Sequence, residues 1–147
     1  MPNDTTTSTR IGAWPTFMFR DADAALEYLV SVIGFRESAV YRGDDGTIAH
    51  AELLWPDGGG IMFGADKGPD GWSGSAGAPG TSTTYLVTTD VDSVASRVEG
   101  AGWRVLRPVH ATDYGSTEFA FLDPEGNAWS VGTYAGAHAA VDATSSR

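Results

Sequence analysis

The sequence contains no cysteine. Disulfides, thiolate metal sites and a cysteine nucleophile are therefore excluded. It also lacks an apolar run of the roughly 20 residues that span a membrane. Its first ten residues, MPNDTTTSTR, lack the basic start and apolar segment of a secretory signal. We expect no membrane partner and a cytoplasmic location.

Basic residues are scarce. Nine Lys and Arg stand against 19 Asp and Glu, which gives a formal net charge of −10. A nucleic-acid-binding surface needs clustered Lys and Arg to meet the phosphates, so we expect no nucleic-acid partner. The acidic balance fits two interpretations that charge alone leaves open. It keeps the protein soluble, or it attracts a cationic ligand to an acidic cleft.

The most informative stretch is FAFLDPEGNAWSVGTY, residues 119–134. It reads as a strand, a tight turn and a second strand. Pro124 presets φ in the turn, and Gly126 or Asn127 tolerates a positive φ. LLWPDGGGIMFG, residues 53–64, has the same plan. The two stretches together predict a repeated structural unit.

The first predicted unit has the element order β-α-β-β-β. An alternating segment follows residue 11, and Pro15 favours a strand start or an edge position. Asp21 stands where a helix N-cap belongs, and Gly34 ends the helix. Three strands with Gly- and Pro-containing turns follow. The predicted apolar face of the helix comprises Leu26, Leu29, Val30 and Ile33.

The second predicted unit repeats this order from residue 83. Asp90 and Asp92 precede a helix that ends at Gly100 and Gly102, with three strands after it. Its apolar positions are Val91, Val94, Ala95 and Val98. The spacing of equivalent residues is constant, at 69 residues for Asp21 and Asp90 and at 68 for the pairs Gly34/Gly102, Gly58/Gly126 and Gly64/Gly132. A constant offset favours an internal duplication.

These units define the predicted domain organisation. We expect disordered tails at 1–10 and 135–147, a first module at 11–65, a linker loop at 66–82 and a second module at 83–134. The linker is rich in Gly, Pro and Ser, and the role of Trp72 within it stays open. The modules predict an α+β fold, in which a curved mixed sheet of about eight strands has helices outside and a cup inside.

Several motifs carry a family resemblance over residues 11–134. They are D-x-D before the first helix, I-G-F after it, D-P-E-G-N before the last strand, H-A-E-L (50–53), D-Y-G-S (113–116) and W-S-V-G-T-Y (129–134). In this order they resemble the vicinal oxygen chelate superfamily, which includes glyoxalase I, bleomycin resistance proteins and extradiol dioxygenases. The chain is most similar to its uncharacterised glyoxalase-like members. The resemblance implies a homodimer.

The resemblance also implies where a metal would bind. Metal enzymes of this superfamily hold a divalent ion with His, Gln or Glu on the first and last strand of each module. The equivalent positions are Trp14, Met62, Thr83 and Ser130. Metal sites of this kind need imidazole or carboxylate there. We therefore expect no metal and no other cofactor.

Alternation along the predicted strands gives the candidate ligand-binding residues. Phe17, Phe63 and Trp129 should pack against the helices, while their neighbours face the cup. An aromatic and Met-lined cup suits a flat or apolar ligand held by stacking. In the alternative, Trp14 and Met62 fill the cup as core. The candidate ligand-binding residues are Trp14, Thr16, Met18, Met62, Thr83, Tyr85 and Ser130.

Two further groups of polar residues are candidates for a catalytic or binding role. His50 and Glu52 share a strand face, so they would act as a base and its orienter, as ligands of an unusual metal site, or as partners in cross-strand hydrogen bonds. His110, Asp113 and Glu118 cluster in and after a loop of the second module. They either reach the mouth of the cup or, in the simpler interpretation, are solvated loop residues.

Three functions stay open at this point. The first is metal-independent binding of an aromatic or cationic small molecule, as in antibiotic-sequestering proteins of the bleomycin-resistance kind. The second is a glyoxalase-like lyase, isomerase or dioxygenase with a non-standard metal site, using His50 and Glu52. The third is a non-catalytic interaction domain with a filled cup. The first predicts that Trp14→Ala weakens ligand binding and that His50→Ala does not.

Overall fold

The computed structural model describes residues 11–66 and 83–136. The chain divides into two units, Met1–Gly77 and Ala78–Arg147. The predicted tails and the linker with Trp72 lie outside the described residues, except for Asp66 and residues 135–136. Within the described part, no helix is long and apolar enough to cross a membrane.

The first unit follows the predicted β-α-β-β-β order. The strand β1 begins directly after Pro15, as expected for a residue that cannot donate a backbone hydrogen bond. The elements of this unit are β1 (Thr16–Phe19), α1 (Ala22–Tyr28) with a π-helical turn (Leu29–Ile33), β2 (Arg36–Arg42), β3 (Ile48–Leu54) and β4 (Gly60–Ala65).

The helix α1 is capped as predicted, and of its predicted apolar face Leu29 and Ile33 are buried, Leu26 is half-buried and Val30 is exposed. The carboxylate of Asp21 accepts from Ala24 N at 3.1 Å. At the other end, Gly34 takes a φ of 114°. The wide π-helical turn changes which side chains face the sheet. Val30, predicted on the apolar face, is 37% exposed, and the buried positions are Ala22, Ala25, Leu29 and Ile33.

The second unit repeats the order without a π-helical turn. Its helix begins after Asp90, whose carboxylate accepts from Ser93 N at 3.1 Å. All four predicted apolar positions of this helix are buried. The elements are β5 (Thr83–Val87), α2 (Val91–Gly100), β6 (Val105–Ala111), β7 (Thr117–Leu122) and β8 (Ala128–Gly132).

The eight predicted strands form two four-stranded mixed sheets, with the orders β1-β4-β3-β2 and β5-β8-β7-β6. The first and last strand of each unit pair in parallel, and the other pairs are antiparallel. The duplication extends to the register. Thr16 pairs with Met62 in the first unit, and Tyr85 pairs with Ser130 in the second, at offsets of 69 and 68 residues.

Each sheet buries the face that its helix covers. Helix α1 contacts β1 and β4, and α2 contacts β6, β7 and β8. The other face, which we call the open face, carries mostly half-exposed residues. Buried apolar side chains of the strands are Phe19, Ile48, Ala51, Leu53, Ile61 and Phe63 in the first sheet and Leu86, Phe119, Phe121, Ala128, Trp129 and Val131 in the second.

The D-P-E-G-N motif folds into the same turn as its earlier counterpart. Gly126 N donates to Asp123 O, and Gly58 N donates to Trp55 O, both at 2.9 Å. Gly126 takes a φ of 90° and Asn127 does not take a positive φ, so glycine alone supplies the left-handed residue of the later turn. The two turns are stabilised differently, because Trp55 stands where the later turn has Asp123.

Asp123 is the buried polar centre of the later turn, with 4% of its surface exposed. Its carboxylate accepts from Trp129 Nε1 at 3.0 Å and from the backbone N–H groups of Glu125 and Asn127 at 2.9 and 3.0 Å. Burial raises the pKa of Asp123, and the hydrogen bond from Trp129 opposes that rise. The side chain thus holds β7, the turn and β8 together.

We predict that Asp123→Ala lowers the free energy of unfolding by about 2–3 kcal/mol, because buried N–H donors lose their acceptor. Chemical denaturation followed by circular dichroism measures the change. The matched control is Asp57→Ala in the earlier turn, where the exposed carboxylate should contribute less than about 0.5 kcal/mol. Equal effects of the two substitutions would contradict a special role for Asp123.

Candidate functional site

The open face of the first sheet carries one continuous row of side chains across its four strands. Register places Thr16 beside Met62, Met62 beside Glu52, and Glu52 beside Ala39. The next row along β1 pairs Met18 with Gly64. The predicted orientation of Thr16, Met18 and Met62 therefore agrees with the register, since directly paired residues share a face.

Trp14 lies before β1 and is half-buried. A Cβ on Gly60 would come within 2.7 Å of its ring, so the indole covers the start of β4. In the second sheet, Thr83 pairs with Ala128, whereas Ser130 pairs with Tyr85. The register therefore places Trp14 and Thr83 toward the strand starts, away from the Met62 and Ser130 rows.

The metal that the resemblance implies can be tested against these rows. In the first unit, the paired positions hold Thr16 and Met62, and in the second unit they hold Tyr85 and Ser130. A thioether and neutral hydroxyls are poor ligands for a divalent ion that prefers imidazole and carboxylate. Residues 11–66 and 83–136 contain no group of three or more His, Asp and Glu placed to hold a metal. The donor set does not fit such an ion.

His50 and Glu52 form a pair on the open face of the first sheet. His50 Nε2 lies 2.9 Å from Glu52 Oε2, and 42% and 30% of the two side chains are exposed. Tyr41, directly opposite on β2, stacks on the imidazole with ring centroids 6.2 Å apart. When Glu52 accepts from Nε2–H, Nδ1 carries the lone pair and is left as a base.

The second polar group does not assemble as one cluster. His110 Nδ1 lies 2.8 Å from Pro108 O, and Asp113 is exposed in the loop. Glu118 bonds to Tyr114 instead. Phe119 and Phe121, which flank these residues in sequence, lie on the helix-covered face and are fully buried.

The open face of the second unit contains a pocket of about 460 Å³, which we call the tyrosine pocket. Its lining residues are Tyr85, Tyr114, Glu118 and Tyr134. The three tyrosines are 38%, 59% and 44% exposed, so their rings stand at the surface. The volume falls within the range of small-molecule sites. Of these residues, only Tyr85 was a predicted ligand-binding residue.

A tight turn at Thr112–Ser116 builds one wall of the tyrosine pocket. Thr112 N donates to Ser116 O at 2.8 Å, and Gly115 takes a φ of 86°, so Tyr114 stands at the tip. The buried Ser116 Oγ accepts from Tyr134 N at 3.1 Å, which ties the segment after β8 to this turn. The D-Y-G-S motif thus positions two of the three rings.

Gly132 provides the floor on which the pocket side chains lie. A Cβ at this position would meet Tyr85 Oη, Tyr85 Cε1 at 3.0 Å and Glu118 Cγ at 2.8 Å. Since Gly132 does not have a positive φ, its role is to leave space. Tyr85 Oη lies across the strand and donates to Tyr134 O at 2.9 Å.

Hydrogen bonding sets the electrostatics of the tyrosine pocket. Tyr114 Oη donates to Glu118, with both carboxylate oxygens at 2.9 Å. This bond to the carboxylate raises the pKa of Tyr114. Burial raises the pKa of Tyr85, and the bond with Ser116 opposes the rise. The raised pKa values keep the phenols of Tyr85 and Tyr114 neutral.

The repeat pattern could not reveal Tyr114 and Tyr134, because each lies in a connecting segment and not on a duplicated strand position. Glu118 was grouped with His110 and Asp113, either at the cup mouth or as a solvated loop residue. Glu118 aligns with His50 at the 68-residue offset. His50 pairs with Tyr41 on β2, and Glu118 pairs with His110 on β6. That alignment is the signal that places Glu118 on the open face.

We predict that Gly132→Ala displaces Tyr85 and Glu118 and destabilises the fold by about 1–3 kcal/mol, as overpacking does. Tyrosine ring resonances in NMR spectra and denaturation midpoints measure the two effects. Gly100→Ala is the control, since a Cβ there meets nothing within 4 Å. Unchanged Tyr85 resonances in the Gly132 variant would contradict the proposed floor.

Comparison with solved structures identifies several similar folds. TioX from Micromonospora sp. ML1 is 27% identical, with a TM-score of 0.65 and coverage of 82% of this chain and 98% of that chain. A glyoxylase/bleomycin resistance protein/dioxygenase domain from Frankia sp. EAN1pec is 22% identical, with a TM-score of 0.63 and coverage of 85% and 98%. The fosfomycin resistance protein FosX from Listeria monocytogenes is 12% identical, with a TM-score of 0.58 and coverage of 85% and 93%.

No curated protein matches the chain. The sequence pattern of the Glyoxalase/Bleomycin resistance protein/Dioxygenase superfamily matches residues 13–131. This match spans most of the chain and both β-α-β-β-β units, and the predicted resemblance is confirmed. The chain belongs to the Glyoxalase/Bleomycin resistance protein/Dioxygenase superfamily.

Proposed function

We propose that this protein binds an aromatic or cationic small molecule without a metal ion and sequesters it, in the manner of a resistance protein. The observation that carries the proposal is the tyrosine pocket on the open face of the second unit. Exposed tyrosines offer large contact area and a polar end at a small cost in side-chain entropy.

The family description and the similar structures support the proposed role in resistance. The family's description includes bleomycin resistance proteins, and similar structures include fosfomycin resistance proteins from Listeria monocytogenes and Mesorhizobium loti. These structures are 12% and 19% identical to the chain, so they support the fold and leave the ligand open. We also propose that the protein forms a homodimer, as the family resemblance implies.

A glyoxalase-like enzyme is the second candidate function, and the His50–Glu52 pair favours it. A carboxylate 2.9 Å from Nε2 fixes the ring and leaves Nδ1 as a proton acceptor at a half-exposed position. This arrangement would serve an acid–base step. Two ligands alone leave a catalytic metal below its usual three protein ligands.

We predict that protein purified without chelators contains well under one equivalent of zinc, iron, nickel or manganese per chain. The reason is that Thr16, Met62, Tyr85 and Ser130 supply no imidazole or carboxylate. Elemental analysis by mass spectrometry measures the content. One tightly held divalent ion per chain would instead favour the enzyme.

We predict that Tyr85→Ala abolishes the rise in melting temperature that an aromatic or cationic probe produces. A thermal-shift screen with organic cations, aromatic natural products and divalent metals measures the rise, which follows from mass action. Tyr41→Ala is the matched control, since Tyr41 is an exposed tyrosine on the open face of the first unit.

The same screen separates the two candidate functions. Under the binding proposal, the His50→Ala variant still shows the rise in melting temperature with organic probes. If the first unit also contributes to binding, Trp14→Ala reduces that rise. Loss of the shift in His50→Ala and its retention in Tyr85→Ala would move the function to the His50–Glu52 pair.

A further inference from the structure

We infer that the tyrosine pocket receives the alkylammonium group of an organic cation, held by the tyrosine rings and the carboxylate of Glu118. This inference rests on the proposed small-molecule binding and names its ligand class.

The first support is the charge of the lining. Among the described residues that line the pocket, Glu118 is the one acidic side chain and there is no Lys or Arg. Within residues 11–66 and 83–136, no cation is in salt-bridge contact with Glu118. Its only side-chain partner there is the Tyr114 hydroxyl, which is neutral. The carboxylate therefore keeps its net charge and has lone pairs left for a ligand.

The second support is the arrangement of the rings. Tyr114 and Tyr134 meet edge to face, with centroids 5.8 Å apart and planes at 77°. Tyr85 is fixed by its hydrogen bond to Tyr134 O, so its ring cannot leave without breaking that bond. Ring faces carry negative potential and attract ammonium groups, and exposed cation–π contacts favour binding by a few fold each.

The third support comes from the strand opposite Glu118. His110 is its direct partner across β6 and β7. Since the Pro108 carbonyl can only accept, Nδ1 of a neutral His110 is the donor, and Nε2 keeps a lone pair. Nε2 is buried and has no hydrogen-bond partner in the described part of the chain. In this tautomer His110 therefore offers Glu118 no hydrogen-bond donor, and its buried Nε2 is not part of the pocket lining.

These features discriminate among ligand classes. An anion would be repelled by Glu118. A neutral aromatic group would contact the rings but would remove water from the carboxylate without replacing it, which is costly. An alkylammonium group satisfies both the rings and the carboxylate. The overall charge of −10 adds long-range attraction for the same class.

The experiment compares choline with 3,3-dimethyl-1-butanol in NMR titrations of the full chain. This alcohol, called dimethylbutanol below, has an uncharged carbon in place of the choline nitrogen. We expect choline to shift the ring resonances of Tyr85, Tyr114 and Tyr134 and to bind at least fivefold more tightly than dimethylbutanol. This ratio corresponds to about 1 kcal/mol for one exposed ionic contact together with the rings.

Two variants test the two parts of the site. Glu118→Gln should weaken choline binding about three- to fivefold and leave dimethylbutanol unchanged. Glu52→Gln is the matched control, because it removes the same charge from the equivalent strand of the first unit and should change choline binding less than about twofold. Tyr134→Leu keeps the backbone bonds and an apolar side chain but should weaken choline about threefold. Circular dichroism confirms that each variant is folded.

The outcomes separate this inference from the function on which it rests. Equal affinity for the two probes, or equal effects of Glu118→Gln and Glu52→Gln, would overturn the cation site. If an uncharged aromatic probe still raises the melting temperature and requires Tyr85, small-molecule binding stands without the cation. Absence of any choline-induced shift at these tyrosines would also overturn the inference.

Discussion

One helix cannot cover both faces of a four-stranded sheet, and this constraint determines where the chemistry of each unit lies. The helix-covered face carries the fully buried side chains, such as Phe63 in the first sheet and Trp129 in the second. The open face then has to accept side chains that tolerate water. The His50–Glu52 pair and the tyrosine pocket both lie on such a face, and Glu118 of the pocket is on β7, the strand equivalent to β3 of the pair.

The duplicated units preserve backbone pairing while their open faces have diverged. The parallel pairs Thr16/Met62 and Tyr85/Ser130 occupy the same register, as do the antiparallel pairs Tyr41/His50 and His110/Glu118. The apolar pattern of the buried face and the geometry of the turns set this register, and it does not depend on the side chains of the open face. One unit consequently has an imidazole where the other has a carboxylate. Function in this fold is a property of these few positions.

Membership of the Glyoxalase/Bleomycin resistance protein/Dioxygenase superfamily fixes the scaffold and leaves the chemistry open. The side chains at Met62 and Ser130 cannot replace the imidazole and carboxylate that the family resemblance implies. The tyrosine pocket uses neighbouring positions, with rings supplied by a β-turn and by the segment after β8. Under the proposed function, binding by aromatic contact and charge takes the place of coordination.

Local patterns in the sequence were sufficient for much of the fold. Asp21 and Asp90 as N-caps, the order of elements, the glycine spacing and the orientation of Thr16 and Met62 all depend on interactions within a few residues or on strand alternation. Val30 was placed wrongly on the buried face, because apolar spacing of a regular helix does not anticipate the π-helical turn. The tails and the linker stay predictions.

The location of the tyrosine pocket and its lining residues depended on tertiary structure. Tyr114 and Tyr134 are 20 residues apart and belong to no repeat, and hydrogen bonds such as that from Tyr134 N to Ser116 Oγ bring their two segments together. Sequence alone determined the duplicated scaffold and the absence of coordinating residues at Met62 and Ser130. Which polar side chains converge depended on hydrogen bonds between segments distant in sequence, and such contacts leave no periodic pattern to read.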